Sequence, residues 1–225
     1  MKSPLNLVKS LLAVAGVAAV SAVSAAPASA FSFSNIAGGD TPGDAYINSF
    51  TFDVFNLGSS VIFNIKNSGD AAAPSMFISQ VFFDDNGYLS TPVVNFGNFG
   101  QVAFSGGLSN DRLPQGGNNF TTDYAFSSNN GGGNEYGVQA GESLAVRFNG
   151  NYNNVLFALT DGTLKIGLHV QALPNGASDS YISNSGNTQN TPEPLTMLAA
   201  GAAVGFGTMF KKQRAQAQKA PEAII

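Results

Sequence analysis

The sequence has no cysteine and no tryptophan, a single histidine and few charged residues, which make up 11% of its 225 positions. Without cysteine, the chain cannot contain disulfide frameworks, zinc-thiolate sites, iron-sulfur clusters or thiol nucleophiles. Because His169 is the one histidine, sites that need two imidazoles are excluded as well. The length allows one hydrophobic core of useful size.

The first thirty residues have the pattern of a cleaved export signal. Positive charge precedes an apolar stretch from Leu11 to Val23, and Ala28-Ser29-Ala30 supplies a small-residue cleavage site. The apolar stretch is shorter than the roughly 20 residues that a membrane-spanning helix needs. We therefore predict a signal helix and signal peptide over residues 1–30, which signal peptidase removes between Ala30 and Phe31.

The C-terminal end carries a second membrane pattern. Pro192-Glu193-Pro194 precedes an apolar run over residues 195–210, and a basic cluster of Lys211, Lys212 and Arg214 follows. As a helix this run extends about 24 Å, so it spans a hydrocarbon core of roughly 30 Å only with snorkelling flanks. Lys and Arg favour the cytoplasmic side. We predict a single transmembrane helix over residues 195–210, a basic cytoplasmic tail over residues 211–225 and an exported domain before them.

This order of features resembles the sorting signal of PEP-CTERM proteins, in which a Pro-Glu-Pro motif, a Gly/Ala-rich apolar helix and a Lys/Arg cluster follow one another. The resemblance implies that a membrane-embedded exosortase recognises Pro192, Glu193 and Pro194 and cleaves there, while the basic cluster retains the tail. It also implies a host that makes extracellular polysaccharide. The alternative is an ordinary C-terminal anchor that is never cut.

Residues 31–190 show the pattern of strands rather than helices. Short apolar runs alternate with period two between Gly, Asn, Ser and Pro, and no stretch shows a convincing period of 3.6. The predicted strands include residues 50–54, 61–65, 75–83, 101–104, 143–148, 155–159 and 164–172, the last two joined by a turn at Asp161-Gly162. We predict an antiparallel all-β sandwich, jelly-roll or Ig-like, over residues 31–177, with phenylalanine in place of disulfides, and a polar linker over residues 178–194.

A second resemblance concerns this exported part. Leu164–Gln171, followed by Ser178–Tyr181, resembles the closing strand of a domain that recurs among PEP-CTERM surface proteins. With Phe77–Asp85 and Gly141-Glu142 the likeness extends over most of the mature chain. It implies no molecular activity, since that group is defined by its sorting signal.

The exported part is strongly acidic. Residues 31–190 hold twelve acidic and four basic side chains, a net charge of −8. Such a surface repels nucleic acid, and no basic stripe with interleaved aromatic residues offsets it. We therefore predict no nucleic-acid partner.

Catalytic patterns are absent from the sequence. His169 is the only possible imidazole base for a serine nucleophile, and no Gly-x-Ser-x-Gly motif accompanies it. Paired carboxylates of a glycosidase would need a sugar-lined cleft that no spacing here predicts. We predict a protein that is not an enzyme.

Two acidic segments are weak candidates for a metal site. Asp84 and Asp85 begin an Asp-Asp-Asn-Gly turn, and Asp40 and Asp44 lie in a Gly-rich stretch. Asp and Asn favour such turns because they bond their own backbone, while Ca²⁺ needs six to eight oxygen ligands. The turn is the preferred interpretation, with Ca²⁺ as the alternative and no other cofactor expected.

Aromatic side chains beside polar loops suggest where a glycan would lie. Five tyrosines border Gly/Asn-rich segments, where each ring would either contact polysaccharide or cover the core: Tyr88, Tyr124, Tyr136, Tyr152 and Tyr181. We predict an exported surface protein, anchored in the inner membrane before processing, that has a structural or adhesive role in an extracellular polysaccharide or biofilm layer. The alternative is a carbohydrate- or calcium-binding module.

Overall fold

A computed structural model describes residues 28–36, 41–129, 134–186 and 189–190. Within these residues the chain forms eleven strands, one α-helix and four 3₁₀ segments. The strands are β1 (Ser29–Asn35), β2 (Phe50–Leu57), β3 (Ser60–Asn67), β4 (Phe77–Asp84), β5 (Ser90–Val94), β6 (Phe104–Leu108), β7 (Tyr124–Ser128), β8 (Glu142–Asn149), β9 (Lys165–Leu173), β10 (Ala177–Ser183) and β11 (Gln189–Asn190). The helix α1 is Tyr152–Asp161, and the longest 3₁₀ segment is Thr41–Ser49.

The strands form one hydrogen-bonded path in which every pair is antiparallel. Its order is β5-β8-β3-β2-β1-β10-β9-β4-β7-β6, with β11 beside β1. β1 joins two halves of this path, because residues 29–32 pair with β2 and residues 33–35 pair with β10. The prediction of an antiparallel all-β fold is confirmed. The finer prediction of a two-sheet sandwich stays a prediction.

The period-two pattern of the sequence sets the inner face of each strand. Phe50, Phe52 and Val54 in β2 are fully buried, as are the corresponding residues of β3. Rings from distant strands meet over this face, since the centroid of Phe63 lies 5.2 Å from that of Phe83 in β4. Both halves of the path therefore contribute to one core, in which phenylalanine dominates.

The predicted strand over residues 155–159 is wrong, because these residues belong to helix α1. Its N-terminus is capped by Asn151, whose side chain accepts a hydrogen bond from the backbone N–H of Asn154 at 3.1 Å. Its C-terminus ends at Gly162, which adopts a left-handed conformation with φ of 78°. The buried residues Val155, Ala158 and Leu159 follow helical spacing. Asp161-Gly162 thus ends a helix and does not close a hairpin.

The predicted linker over residues 178–194 is wrong in its first part. Residues 178–183 belong to β10, which lies between β1 and β9 in the path. The sequence of β10 is polar, which is why it resembles a linker. Its residues Asp179, Ser180 and Tyr181 are nevertheless buried. The strand predicted over residues 101–104 is also displaced, because β6 begins at Phe104 and ends at Leu108.

Two predicted membrane segments cannot be compared with the fold. The signal peptide predicted over residues 1–30 is described only from Ala28, just before β1 begins, and the transmembrane helix over residues 195–210 lies outside the described residues. In the described part of the chain, α1 and the shorter helical segments fall below the length and apolarity that a membrane crossing requires.

Candidate functional site

The residues assigned to export lie at the first strand. Ala28 precedes β1, and Ala30 and Phe31 lie within it. Ser29 and Ala30 pair with Val54 and Asp53 in β2. The sorting motif Pro192-Glu193-Pro194 and the basic cluster of residues 211–214 lie outside the described residues.

The two ends of the described domain meet at β1. Ser29 is opposite Asn190, and Ala30 is opposite Gln189, in the antiparallel pairing of β1 with β11. The chain therefore enters and leaves the domain at the same place, one residue before the Thr-Pro-Glu-Pro sequence begins.

Asp85 organises the turn that follows β4. Its Oδ1 accepts a hydrogen bond from the backbone N–H of Gly87 at 2.6 Å, and its Oδ2 accepts one from Leu89 at 3.1 Å. Asp123, which precedes β7, accepts from the backbone N–H of Asp85 at 2.8 Å. Burial and the nearby Asp123 carboxylate raise the pKa of Asp85, against the lowering effect of its backbone partners. The geometry supports the turn interpretation of these acids.

Asp84 faces a different set of partners. Its Oδ2 lies 3.2 Å from the ammonium group of Lys165 and accepts from the backbone N–H of Thr121 at 3.1 Å. Lys165 also donates to the carbonyl oxygen of Asn119 at 2.8 Å. Asp84 thus fastens the 118–121 loop to the sheet.

The structure does not bring the candidate calcium ligands together. Asp44 is exposed on the 3₁₀ segment Thr41–Ser49, and Asp40 lies outside the described residues. Within the ranges that the structure describes, no group of three or more His, Cys, Asp or Glu side chains is placed to hold a metal ion. Calcium binding stays a hypothesis from the sequence.

A polar groove of about 700 Å³ lies beside the Asp84 contacts. Asp84, Asp123 and Lys165 line it together with polar residues of the neighbouring loops, which are Asn86, Asn118, Asn119, Thr121 and Thr163. Since the carboxylates already accept from Lys165 and from backbone amides, this groove offers hydrogen bonds rather than an activated acid or base.

His169 contacts a serine, but the pair is not arranged for nucleophilic catalysis. Its Nδ1 lies 3.2 Å from the hydroxyl oxygen of Ser180 on the neighbouring strand, and Ser180 is only 1% exposed. Burial lowers the pKa of His169, although the backbone of Asp179 partly opposes this shift. A nucleophile must reach its substrate, and this hydroxyl group is closed off. The contact holds β9 to β10.

The tyrosines follow the second of the two interpretations, in which their rings cover the core. Tyr181 is fully buried, donates to the carbonyl oxygen of Gly43 at 2.8 Å and has its pKa raised by burial. Tyr124 is 7% exposed. Tyr88, Tyr136 and Tyr152 are half-buried. The interpretation that these rings cover the core is therefore correct for Tyr124 and Tyr181.

The exposed rings belong instead to phenylalanines that the sequence analysis did not select. Phe99 is 69% exposed and Phe157 on α1 is 67% exposed. Phe99 lies in the segment from Asn95 to Gly100, where the tripeptide Asn-Phe-Gly occurs twice in succession. This repeat is the signal in the sequence, because Gly and Asn beside an apolar ring favour turns that carry the ring to the surface.

Comparisons with known proteins leave the family open. No family model matches the chain, and no curated protein matches it. A solved structure from a study titled "pH-induced modulation of Streptococcus parasanguinis adhesion by Fap1 fimbriae" is similar over 64% of this chain and 85% of that chain, at 10% identity and a TM-score of 0.33. A likeness at this TM-score carries no argument about the present chain.

Proposed function

We propose that this chain is an exported surface protein without catalytic activity, and that its β domain is a structural or adhesive component of an extracellular polysaccharide layer. An exosortase recognises the Pro192-Glu193-Pro194 motif and cleaves near it after the tail has held the domain at the membrane. The C-terminal order of motif, apolar run and basic cluster supports this sorting step.

The observation that carries the proposal is the meeting of the two chain ends at β1. Before signal peptidase acts, Ser29 and Ala30 pair with β11, so the signal peptide and the tail after residue 190 attach at one place on the domain. Cleavage removes these two residues, whereas Phe31 and Ser32 keep their pairing with Phe52 and Thr51 of β2. This geometry suits a protein that is exported through one end and then released or transferred at the other.

We further infer that the domain is a β-sandwich. β1 changes its partner from β2 to β10 after Ser32, as a strand does when it passes from one sheet to the other. The ring contact between Phe83 and Phe148, with centroids 4.9 Å apart, joins side chains of the two halves. Two stacked sheets with a shared apolar interior account for both facts.

The contacts of the polar side chains in the domain also support a role without catalysis. The Ser180 hydroxyl beside His169 is buried, and Asp84 is paired with Lys165. The described residues therefore contain contacts that hold loops and strands, and we assign them to stability rather than to turnover.

The sorting step is tested by replacing Pro192, Glu193 and Pro194 with alanine in the producing cells. We expect the variant to accumulate in the membrane fraction with its tail intact, while the wild-type protein reaches the surface or the medium. A matched control is Pro221→Ala with Glu222→Ala, a second Pro-Glu pair that lies beyond the basic cluster. If the triple variant is distributed like the wild type, the chain is an ordinary anchored protein and the sorting proposal fails.

A further inference from the structure

Phe99 stands at the end of a row of side chains on the outer face of the sheet. Phe99 pairs with Ser143 of β8. Across the sheet, Ser143 is opposite Lys66 of β3, and Lys66 is opposite Thr51 of β2. The apolar neighbours of Thr51, Lys66 and Ser143 along their strands point into the core, so these three side chains lie on the opposite face, where Phe99 is exposed beside them. We call these four side chains the Phe99 row. With neighbouring strands about 4.8 Å apart, the row is about 14 Å long.

The row borders a cavity of about 400 Å³ on the outer face. Phe99, Ser143, Lys66 and Thr51 all line it, together with Asn64. One apolar ring is therefore placed beside hydroxyl, amide and ammonium groups. The combination of an aromatic face with hydrogen-bonding groups suits a sugar ring, which has an apolar face of C–H groups and hydroxyl groups around its edge.

The segment that presents Phe99 is held rigidly. The backbone N–H groups of Phe99 and Ser143 each donate to the other residue's carbonyl oxygen at 3.0 Å. Glu142 accepts from the backbone N–H groups of Gln101 at 2.8 Å and Gln139 at 3.0 Å. The Asn98 side chain accepts from the backbone N–H of Ala145 at 2.9 Å. Because the backbone of this segment is already fixed, it has little entropy left to lose when a ligand binds.

Close packing against Glu142 restricts which residue can occupy position 100 in this segment. Gly100 has a φ of 94°, and a Cβ at this position would lie 2.3 Å from Oε1 of Glu142. In the same segment, the guanidinium group of Arg147 lies over the ring of Phe96, 4.9 Å from its centroid. Phe96 is thus partly protected by a cation, whereas Phe99 is left open to solvent.

Charge on this face selects a neutral ligand. Lys66 donates a hydrogen bond to Asp53, so its charge is balanced by a partly buried carboxylate. Glu142 is the other charged residue that lines the cavity, and residues 31–190 carry a net charge of −8. An anionic polysaccharide would be repelled from such a surface.

We propose that the Phe99 row binds a neutral polysaccharide chain, with a sugar ring stacked on Phe99 and hydroxyl groups bonded to Thr51, Asn64 and Lys66. The inference rests on the proposed function, because the polysaccharide layer would supply the ligand. The row itself is defined by strand register and by the exposure of one ring. Sugar rings along an extended chain would follow the row across β8, β3 and β2.

Affinity electrophoresis of the purified full-length chain tests this proposal. Native gels contain hydroxyethylcellulose, dextran or soluble starch as neutral probes, and alginate as an anionic probe. We expect at least one neutral polysaccharide to retard the wild-type protein and alginate to leave it unretarded. Phe99→Ala should weaken the apparent affinity about tenfold, as expected of a central aromatic contact. Phe99→Tyr should retain binding, because it keeps the ring.

Phe157→Ala is the matched control, since Phe157 is almost as exposed as Phe99 but lies on α1. It should bind like the wild type, and thermal melting should show that both alanine variants remain folded. The proposal is overturned if no neutral polysaccharide retards the wild type, or if both alanine variants lose binding equally. It is also overturned if Phe99→Ala changes the oligomeric state instead, because the row would then be a protein interface. The gels use purified protein, so their result is independent of the sorting experiment.

Discussion

At the scale of single residues, phenylalanine rings replace the covalent links that this chain lacks. Phe83 is fully buried, and its ring centroid lies 5.2 Å from that of Phe63, 4.9 Å from that of Phe148 and 6.1 Å from that of Phe126. Most of these pairs are edge-to-face, the arrangement that aromatic quadrupoles favour. Phe83 therefore connects strands from both halves of the sheet path.

Phe83→Ala should lower the free energy of unfolding by about 3–5 kcal/mol, because it removes a large buried side chain and leaves a cavity among three other rings. Urea denaturation of the variant and the wild type measures this change. Phe157→Ala, which truncates a 67% exposed ring, should stay within about 0.5 kcal/mol of the wild type. Equal effects of the two substitutions would show that the aromatic cluster does not hold the fold.

The single histidine gives the stability a simple dependence on pH. Burial holds the pKa of His169 in the folded chain below its ordinary value of 6.5. The unfolded chain consequently takes up a proton first as the pH falls, and protonation favours unfolding. The contribution of neutral His169 to stability is fully present above pH 6.5 and is lost between that value and the lower pKa of the folded chain.

We expect the unfolding midpoint in urea to decrease as the pH is lowered from above to below 6.5. His169→Asn should remove most of that decrease, because the amide does not titrate and can still bond to Ser180. Burial raises the pKa of Asp85, so this acid acts in the opposite direction, because its protonation favours the folded chain. A decrease that persists unchanged in His169→Asn would assign the effect to other groups.

At the scale of elements, β10 is a central strand of the sheet path, although its polar sequence does not suggest this. It pairs with β1 on one side and with β9 on the other, so it closes the path between the two halves. It also supplies Tyr181, whose hydroxyl group donates to Gly43 from the core. The domain boundary therefore lies after β10 and not before it.

A chain of residues 28–177 should fail to fold, whereas a chain of residues 28–190 should unfold cooperatively. The shorter chain lacks β10, which leaves the edges of β1 and β9 unpaired and removes the buried Tyr181. Circular dichroism during thermal melting distinguishes the two results. A sharp unfolding transition in both chains would contradict this account and place the end of the domain at residue 177, as composition alone predicts.

Particular elements show which features the sequence could predict. Alternating apolar residues correctly predicted the buried faces of β2, β3 and β8, because period two depends only on the strand itself. The alternation could not assign partners, since the pairing of β1 with both β2 and β10 depends on distant residues. Helix α1 was missed although its capping residues, Asn151 and Gly162, were visible in the sequence.

The candidate site was less predictable than the fold. The Asp84-Asp85 turn was found because Asp and Asn favour such places locally. The Phe99 row was not found, because four residues from separate segments come together only through the register of the sheet. For Tyr181 the sequence left two interpretations open, because its neighbours are polar, and the structure shows the ring buried in the core.

At the scale of the whole molecule, the account joins an acidic β domain to two terminal segments with separate roles. Before processing, the ends of the domain meet at β1 and β11, so the signal peptide and the C-terminal tail attach at the same place. Cleavage before Phe31 would remove Ser29 and Ala30, and with them the pairing with β11, while Phe31 and Ser32 keep their pairing with Phe52 and Thr51 of β2. The remaining surface, including the Phe99 row, is then free to contact the surrounding layer.

The intact mass of the protein recovered from cells and from medium tests the central claim most directly. Cleavage at both ends predicts a species that begins at Phe31 and ends between Pro192 and Pro194. Its presence at the surface or in the medium would support processing by signal peptidase and exosortase. A mature chain that retains residues 211–225 in the membrane fraction would contradict the sorting claim and leave a simple anchored surface protein.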